Sequence, residues 1–195
     1  MPPVRQPKSI VKTLRYGELD REVVVAAAVR VAERGGIQSV TVRALATELG
    51  LSTTAMYHYV DGKSELLNLI GDATLATVEI PETGPWQQRI RVFALSARKA
   101  LLRIDGVAGV LQTQPAKGAA QQADELVQQI MIDAGVPAPR REAARVLLLT
   151  FVLGSVSFEQ ALDGLPHQLM VPALTRYEQA LDVLIAGLEA MSQPT

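Results

Sequence analysis

A short segment, residues 53–58, carries polar side chains of kinds that bind nucleic acid. Met56 and Val60 lie one helical turn apart, which predicts a helix that buries these two residues. Its outward face then carries two hydroxyls, a phenol and an imidazole, from Thr53, Thr54, Tyr57 and His58. A solvated helix face is normally rich in Glu and Lys, whereas this one has no acid before Asp61. Such groups suit hydrogen bonding to base edges and phosphates in a DNA major groove.

The preceding residues predict the element that would position this helix. An apolar stripe at spacing i, i+3, i+4 and i+7 indicates an earlier amphipathic helix, formed by Val42, Leu45, Ala46 and Leu49. Gly50 suits a left-handed C-terminal cap, Leu51 can return to the core, and Ser52 is a good N-cap for the next helix. The pattern is typical of a helix-turn-helix.

Apolar periodicity, with no convincing alternation of period two, predicts an all-α fold. The expected helices outside the turn lie near residues 20–34, 63–75, 86–103, 107–112, 119–134, 140–162 and 172–191. Asp61 is the expected N-cap of the helix at 63–75. The helix at 63–75 is apolar around most of its circumference, so we expect it to connect two bodies. Pro81 to Pro85 interrupts the chain and marks a domain boundary.

Composition places the chain among compact globular proteins. It has 195 residues, enough for one or two domains, and a hydrophobic content of 48%. It contains no cysteine, which excludes disulfides and fits a reducing cytoplasm. No apolar signal segment opens the sequence, and the apolar run Val146 to Phe158 is interrupted by polar residues. We therefore expect a soluble, cytoplasmic protein.

The charge is unevenly distributed. The first 70 residues carry a net charge of +2 and the remainder −3, which sums to the overall −1. Arg5, Lys8, Lys12 and Arg15 precede any acid, so residues 1–19 form a flexible basic arm. This arm either solubilises the chain or contacts DNA, and the sequence leaves both readings open.

The last two helices carry more apolar surface than one chain can easily bury. Large apolar residues spread around the helix at 146–158, and a seam follows the last helix at Leu174, Tyr177, Leu181, Leu184, Ile185 and Leu188. Gly154, Ser155 and Ser157 would let another helix approach closely. A two-fold homodimer with a four-helix bundle would bury this surface, and an intramolecular core is the alternative.

The stretch ERGGIQSVTVRALATELGLSTTAMYHYVDGKSELL resembles the N-terminal domain of the tetracycline-repressor (TetR/AcrR-type) regulators. The resemblance covers residues 20–75, and the segment TFVLGSVSFEQ resembles the C-terminal domain of that family more weakly. It implies a ligand-responsive, DNA-binding transcriptional regulator, in most cases a repressor. It also implies a division into a helix-turn-helix domain at 20–79 and a ligand-binding and dimerisation domain at 80–195.

The resemblance also implies which residues touch double-stranded operator DNA. Thr41 and Arg43 match contacts at the start of the first helix of the pair, and Thr53, Thr54, Tyr57 and His58 match the groove-facing side of the second. Tyr59 and Lys63 match positions that contact the DNA backbone. The sequence departs from the founding member of the family at Thr54, Ala55 and His58, so the operator sequence does not carry over.

The resemblance further implies a small-molecule pocket among the C-terminal helices. Residues that could line it are Trp86, Phe93, Met131, Phe151 and Phe158, although a place in the core is the stronger interpretation for each. The wall residues are mostly aliphatic, with Arg89, Arg98, Arg103 and Glu159 as possible polar anchors, so we expect a mainly apolar effector. Only His167 is available beyond residue 58, and we therefore expect no metal and no cofactor.

Two other classes of protein compete with this interpretation. An enzyme is disfavoured, because the chain has no cysteine, two distant histidines and none of the common metal, phosphate or dinucleotide motifs. A helical interaction module that has lost DNA binding is also possible. The polar outward face of the helix at residues 53–58 argues against a module that has lost DNA binding.

Overall fold

The computed structural model describes residues 20–113, 117–162 and 171–192, and within these ranges it is helical without a strand. The helices are α1 (Arg21–Gly35), α2 (Val42–Leu49), α3 (Thr53–Met56), α4 (Lys63–Leu75), α5 (Trp86–Leu101), α6 (Val107–Thr113), α7 (Gly118–Asp133), α8 (Ala138–Leu162) and α9 (Ala173–Ser192). A 3₁₀ turn, Ile37–Ser39, links α1 to α2. The predicted all-α class and the order of helices are confirmed. The basic arm, His167 and the break at Pro115 lie outside the described residues.

Two predicted details differ near the helix-turn-helix. Asp61 does not cap α4; Gly62 precedes the helix, and the Asp61 backbone N–H donates to Glu65 Oε2 at 2.5 Å. Glu65, in the first turn of α4, therefore binds the residue before the N-cap, and no side chain caps the first N–H groups of the helix. The regular part of α3 is only four residues long, and hydrogen-bonded turns continue it as far as Val60.

Helix α4 packs on both halves of the chain, as its apolar circumference predicts. It contacts α1 on one side and α5, α6 and α7 on the other. Leu66 and Ile70 are fully buried between them, whereas Asn68 and Asp72 form a polar strip. A shift of α4 would therefore be felt by both sets of helices.

Helix α8 is longer than the apolar run that the sequence suggested. By length and composition alone the whole helix could cross a membrane, which the shorter, interrupted run Val146 to Phe158 did not indicate. Its charged residues, however, contact neighbouring helices: Arg145 pairs with Asp124 of α7, and Glu159 pairs with Arg98 of α5. Its apolar inner face, including Leu148 and Val152, belongs to the core.

The predicted seam on α9 points into its own chain. Tyr177, Leu181, Ile185 and Leu188 are buried, and the Tyr177 hydroxyl donates to the Ala94 carbonyl at 2.8 Å. These four residues pack on α5 and α8, so they are not available to a second chain. Leu174, the first residue of the predicted seam, is exposed, as are Val183 on α9 and Val146, Leu147 and Phe158 on α8.

Candidate nucleic-acid interface and ligand cavity

The turn between α2 and α3 is fixed by three local contacts. Thr41 Oγ1 accepts the Ala44 N–H at 3.0 Å, which caps α2. Gly50 ends α2 at φ 69°, a left-handed conformation that costs glycine little. Ser52 Oγ then accepts the Ala55 N–H at 3.1 Å and starts α3. Because Met56 and Val60 are buried beneath α3, the orientation of its outer face is set by the core.

The residues predicted to touch DNA lie on or beside this turn. Seven are exposed: Thr41, Arg43, Thr53, Thr54, Tyr57, His58 and Lys63. Tyr57 is the most telling, because 59% of this aromatic residue is exposed with no core to cover it. Tyr59 differs, since it is half-buried and packs against the core. Its hydroxyl end is therefore the part that could reach a phosphate.

The single acid of α2, Glu48, is paired with two arginines. Glu48 accepts from Arg30 Nε at 3.0 Å and also from Arg34, both on α1. The hydrogen bonds from Arg34 and then Arg30 hold the pKa of Glu48 below its usual value. The pair of arginines thus neutralises the one carboxylate that would repel a phosphate backbone, an arrangement that the sequence analysis missed.

A cavity of about 160 Å³ lies among α4, α5, α6, α7 and α8. Its walls are mostly aliphatic: Leu67, Leu75, Ala97, Leu101, Val110, Leu111, Ala120, Ala123, Leu149, Val152 and Leu153, with Phe93. Four polar residues complete the lining, namely Asn68, Asp72, Lys117 and Asp124. Asn68 and Lys117 are exposed and mark the opening, whereas Asp72 and Asp124 are half-buried.

Only one of the five predicted pocket residues lines this cavity. Phe93 does so. Trp86 is the first residue of α5. At a rise of 1.5 Å per residue it lies about 10 Å along the helix axis from Phe93, and it packs against the core outside the cavity. Met131 is fully buried in the core, and Phe151 packs on Tyr177 with ring centroids 4.9 Å apart. Phe158 is exposed on the outside of α8.

The predicted polar anchors also lie outside the cavity. Arg98 pairs with Glu159, Arg103 with Glu33 of α1, and Arg89 with Asp133. The polar residues that do line it were missed, although a signal existed. Asn68 and Asp72 are polar residues one turn apart on an otherwise apolar helix, a spacing that places both on one side.

No group of three His, Cys, Asp or Glu residues that could hold a metal ion occurs in the part of the chain described by the structure. The geometry is therefore that of a polar helix-turn-helix surface and a separate, largely apolar cavity, joined through α4.

Family models match both halves of the chain. Residues 24–70 match bacterial regulatory proteins of the tetR family, and residues 80–172 match the tetracyclin repressor-like C-terminal domain. An HTH-type transcriptional regulator of Saccharopolyspora erythraea is 33% identical over 144 residues, which is 72% of this chain and 61% of that protein. The chain thus spans about three-fifths of the length of this relative.

The tetracycline repressor protein class E of Escherichia coli is 31% identical over 163 residues, which covers 80% of this chain and 75% of that protein. Among solved structures, BioQ with its natural double-stranded DNA operator superimposes with a TM-score of 0.75 at 27% identity, covering 89% of this chain and 99% of that one. The fold defines a helix-turn-helix regulator with a C-terminal helical body. The chain belongs to the TetR family of bacterial regulatory proteins.

Proposed function

We propose that this chain is a transcriptional repressor that binds operator DNA as a homodimer and is released by a small, mainly apolar molecule. The observation that carries the proposal is the exposed face around α3, which presents Thr53, Thr54, Tyr57 and His58 without an acid among them. Hydroxyl, phenol and imidazole groups read base edges and bind phosphates, and the core beneath α3 holds them in place.

Each DNA-contacting residue has a proposed role. Thr53, Thr54, Tyr57 and His58 enter the major groove, and Arg43 contacts a phosphate or a base at its edge. Thr41, Tyr59 and Lys63 bind the DNA backbone, Lys63 at the positive end of the α4 dipole. The relative BioQ was solved with its operator, which supports this use of the fold.

The apolar outer faces of α8 and α9 support the homodimer. Val183 is 74% exposed and Leu147 and Phe158 are each more than half exposed, while Gly154 and Gly187 leave open space beside their Cα atoms. Single-chain proteins seldom leave such a surface uncovered. A two-fold four-helix bundle built from these faces would also place two α3 helices to read two half-sites.

The cavity supports the response to a small molecule. It is largely apolar, it borders α4, and the relative from Escherichia coli is named a tetracycline repressor. We accordingly assign residues 20–79 to a DNA-binding domain with α4 as its connector and residues 80–195 to a ligand-binding and dimerisation domain. A regulator of this kind is neither an enzyme nor a membrane protein, and it acts in the cytoplasm.

Binding to the DNA next to the protein's own gene tests the proposal. A fluorescently labelled intergenic fragment should bind in excess non-specific DNA, and its affinity should fall steeply with salt. A same-length fragment from within the gene is the control. Equal affinity for both fragments would contradict operator recognition and favour a helical interaction module.

A further inference from the structure

Asp72 joins the connector helix α4 to the first turn of α7 at the edge of the cavity. Its Oδ1 atom accepts the backbone N–H of Ala119 at 2.5 Å. This N–H is one of the unpaired donors at the start of a helix of 16 residues, so the carboxylate also meets the positive end of the helix dipole. The Asp72 side chain lines both the cavity and the cleft between α1 and α4.

The backbone of α7 is shaped to receive this carboxylate. Gly118 has φ +53°, and a Cβ atom added there would lie 2.4 Å from Asp72 Oδ1. A side chain there would push the Asp72 carboxylate out of its present position, and the positive φ also favours glycine. The hydrogen bond and the glycine thus both belong to the close contact between Asp72 and the start of α7.

The size of the cavity limits what can compete for Asp72. A buried apolar cavity of roughly 150 Å³ is large enough to bind benzene. The present cavity, of about 160 Å³, therefore fits one ring or a short branched chain. Its polar opening carries two carboxylates, of which Asp124 is already paired with Arg145.

We propose that the cavity takes a compact apolar ligand whose one polar group is a hydrogen-bond donor, and that this donor takes the Asp72 carboxylate away from α7. The inference rests on the proposed function and adds the ligand class and the side chain, Asp72, through which the ligand acts on α4. In the ligand-free protein, Asp72 ties α4 to α7 and keeps the DNA-binding helices in place. When a hydroxyl or ammonium group captures the carboxylate, α4 is released. An anionic ligand is disfavoured, because it would meet the Asp72 and Asp124 carboxylates, while the one cation of the lining, Lys117, is exposed and screened by solvent.

Four single-ring probes test the ligand class without any DNA. Benzyl alcohol and benzylamine should bind about tenfold or more tightly than toluene, because each donates a hydrogen bond to a charged acceptor. Benzoate should bind more weakly than toluene. Binding is measured by calorimetry or by the shift in melting temperature, and the alcohol and the amine together decide whether a neutral or a cationic donor is preferred. Equal binding of all four probes, or preference for benzoate, would overturn the ligand class.

Variants of Asp72 test the switch. Asp72→Asn keeps an oxygen for Ala119, whereas Asp72→Ala removes it, and amide exchange at Ala119 should become about tenfold faster only in the latter. The preference for benzyl alcohol over toluene should be lost in Asp72→Ala. Operator affinity without ligand should fall about 5–150-fold in Asp72→Ala, the usual range of a coupling between two sites.

Gly118→Ala gives an independent test with a matched control. The added Cβ should displace the carboxylate and so reproduce the loss of operator affinity. Gly84→Ala is the control, because Gly84 also has a positive φ, +103°, but its Cβ would meet nothing within 4 Å. If Asp72→Ala and Gly118→Ala both bind operator like Gly84→Ala, the switch is refuted. The proposed function survives that result, since wild-type operator binding is measured in the same titration.

Discussion

Glu48 shows how a single residue can serve both stability and the electrostatics of the interface. Its pKa is lowered by Arg34 and Arg30, so the ionised form is favoured in the folded protein. A lowered folded pKa contributes stability above the unfolded value, near 4.5, and that contribution is lost as the pH falls through the folded pKa. The contribution is modest, about 0.5–1 kcal/mol, because both arginines are half exposed or more.

Glu48→Gln should therefore lower the free energy of unfolding by that amount at pH 7, and the difference from wild type should shrink below pH 4.5. Urea denaturation from pH 7 down to pH 4 measures it. Glu82→Gln, in an exposed loop, serves as the control and should change little. A difference that grows as the pH falls would contradict the assigned pKa direction.

Residues of the DNA surface separate into two kinds by their expected effects. Tyr57→Ala and Lys63→Ala should weaken binding to all DNA sequences, and Lys63→Ala should flatten the salt slope by about one unit. Changes at Arg43 or Thr53 should instead alter the preference for particular base pairs, by about 1–3 kcal/mol for a lost bidentate contact. Anisotropy titrations with operator variants distinguish the two. Wild-type binding by all four variants would show that the surface is wrongly assigned.

At the scale of single residues, the sequence predicted exposed polar groups better than cavity walls. Periodicity indicates which side of α3 faces out, because Met56 and Val60 leave only one face for the core. It does not indicate which buried aromatic borders a void. Met131 and Phe93 each lie on the apolar face that periodicity predicts for their helix, but only Phe93 lines the cavity. Which buried residue borders the cavity depends on how five helices pack together.

At the scale of helices, the segment that connects the two halves of the chain is held by an ion pair whose contribution to the free energy of unfolding can be measured. Arg89 of α5 is almost fully buried, donates to the Pro81 carbonyl at 2.8 Å and pairs with Asp133 of α7. It therefore fixes the connecting segment to α5 and α7. Removing its carboxylate partner would leave a buried cation with the Pro81 carbonyl but without an opposite charge.

Asp133→Asn should lower the free energy of unfolding by about 1–3 kcal/mol. Asp182→Asn is the matched control, because Asp182 pairs with Arg91 where both side chains are exposed, and it should cost less than about 1 kcal/mol. Chemical denaturation compares them. Equal costs for the two variants would refute the anchoring role of Arg89.

Helix order and most helix ends follow from local signals, such as Gly50 after α2 and Gly135 after α7. Local signals do not predict which face each C-terminal helix presents to solvent. Leu181 and Val183 are both apolar residues of α9, yet one is fully buried and the other is the most exposed large apolar residue described. The distinction depends on where α5 and α8 lie, which is tertiary information.

At the scale of the whole molecule, Val183→Glu should dissociate the proposed dimer into folded monomers, because it places a charge on the exposed face of α9. Leu181→Glu should instead unfold the chain, since it buries that charge in the core. Gln128→Glu adds the same charge at an exposed position of α7, outside the proposed interface of α8 and α9, and should leave the dimer intact. Sedimentation velocity at micromolar concentration measures the outcome, and a monomeric wild type would exclude the two-fold assembly.

A hydroxyl-radical footprint on the DNA next to the protein's own gene tests the central claim most directly. A dimer that presents two α3 helices should protect two half-sites whose centres lie one helical turn apart, about 34–36 Å, or a multiple of it. Tyr57→Ala should lose both protected regions together at the same protein concentration. Two protected half-sites with that spacing are the predicted result. Two results would contradict the account, both at a protein concentration that saturates the labelled fragment. One is DNA that stays unprotected, and the other is protection by Tyr57→Ala equal to that by the wild type.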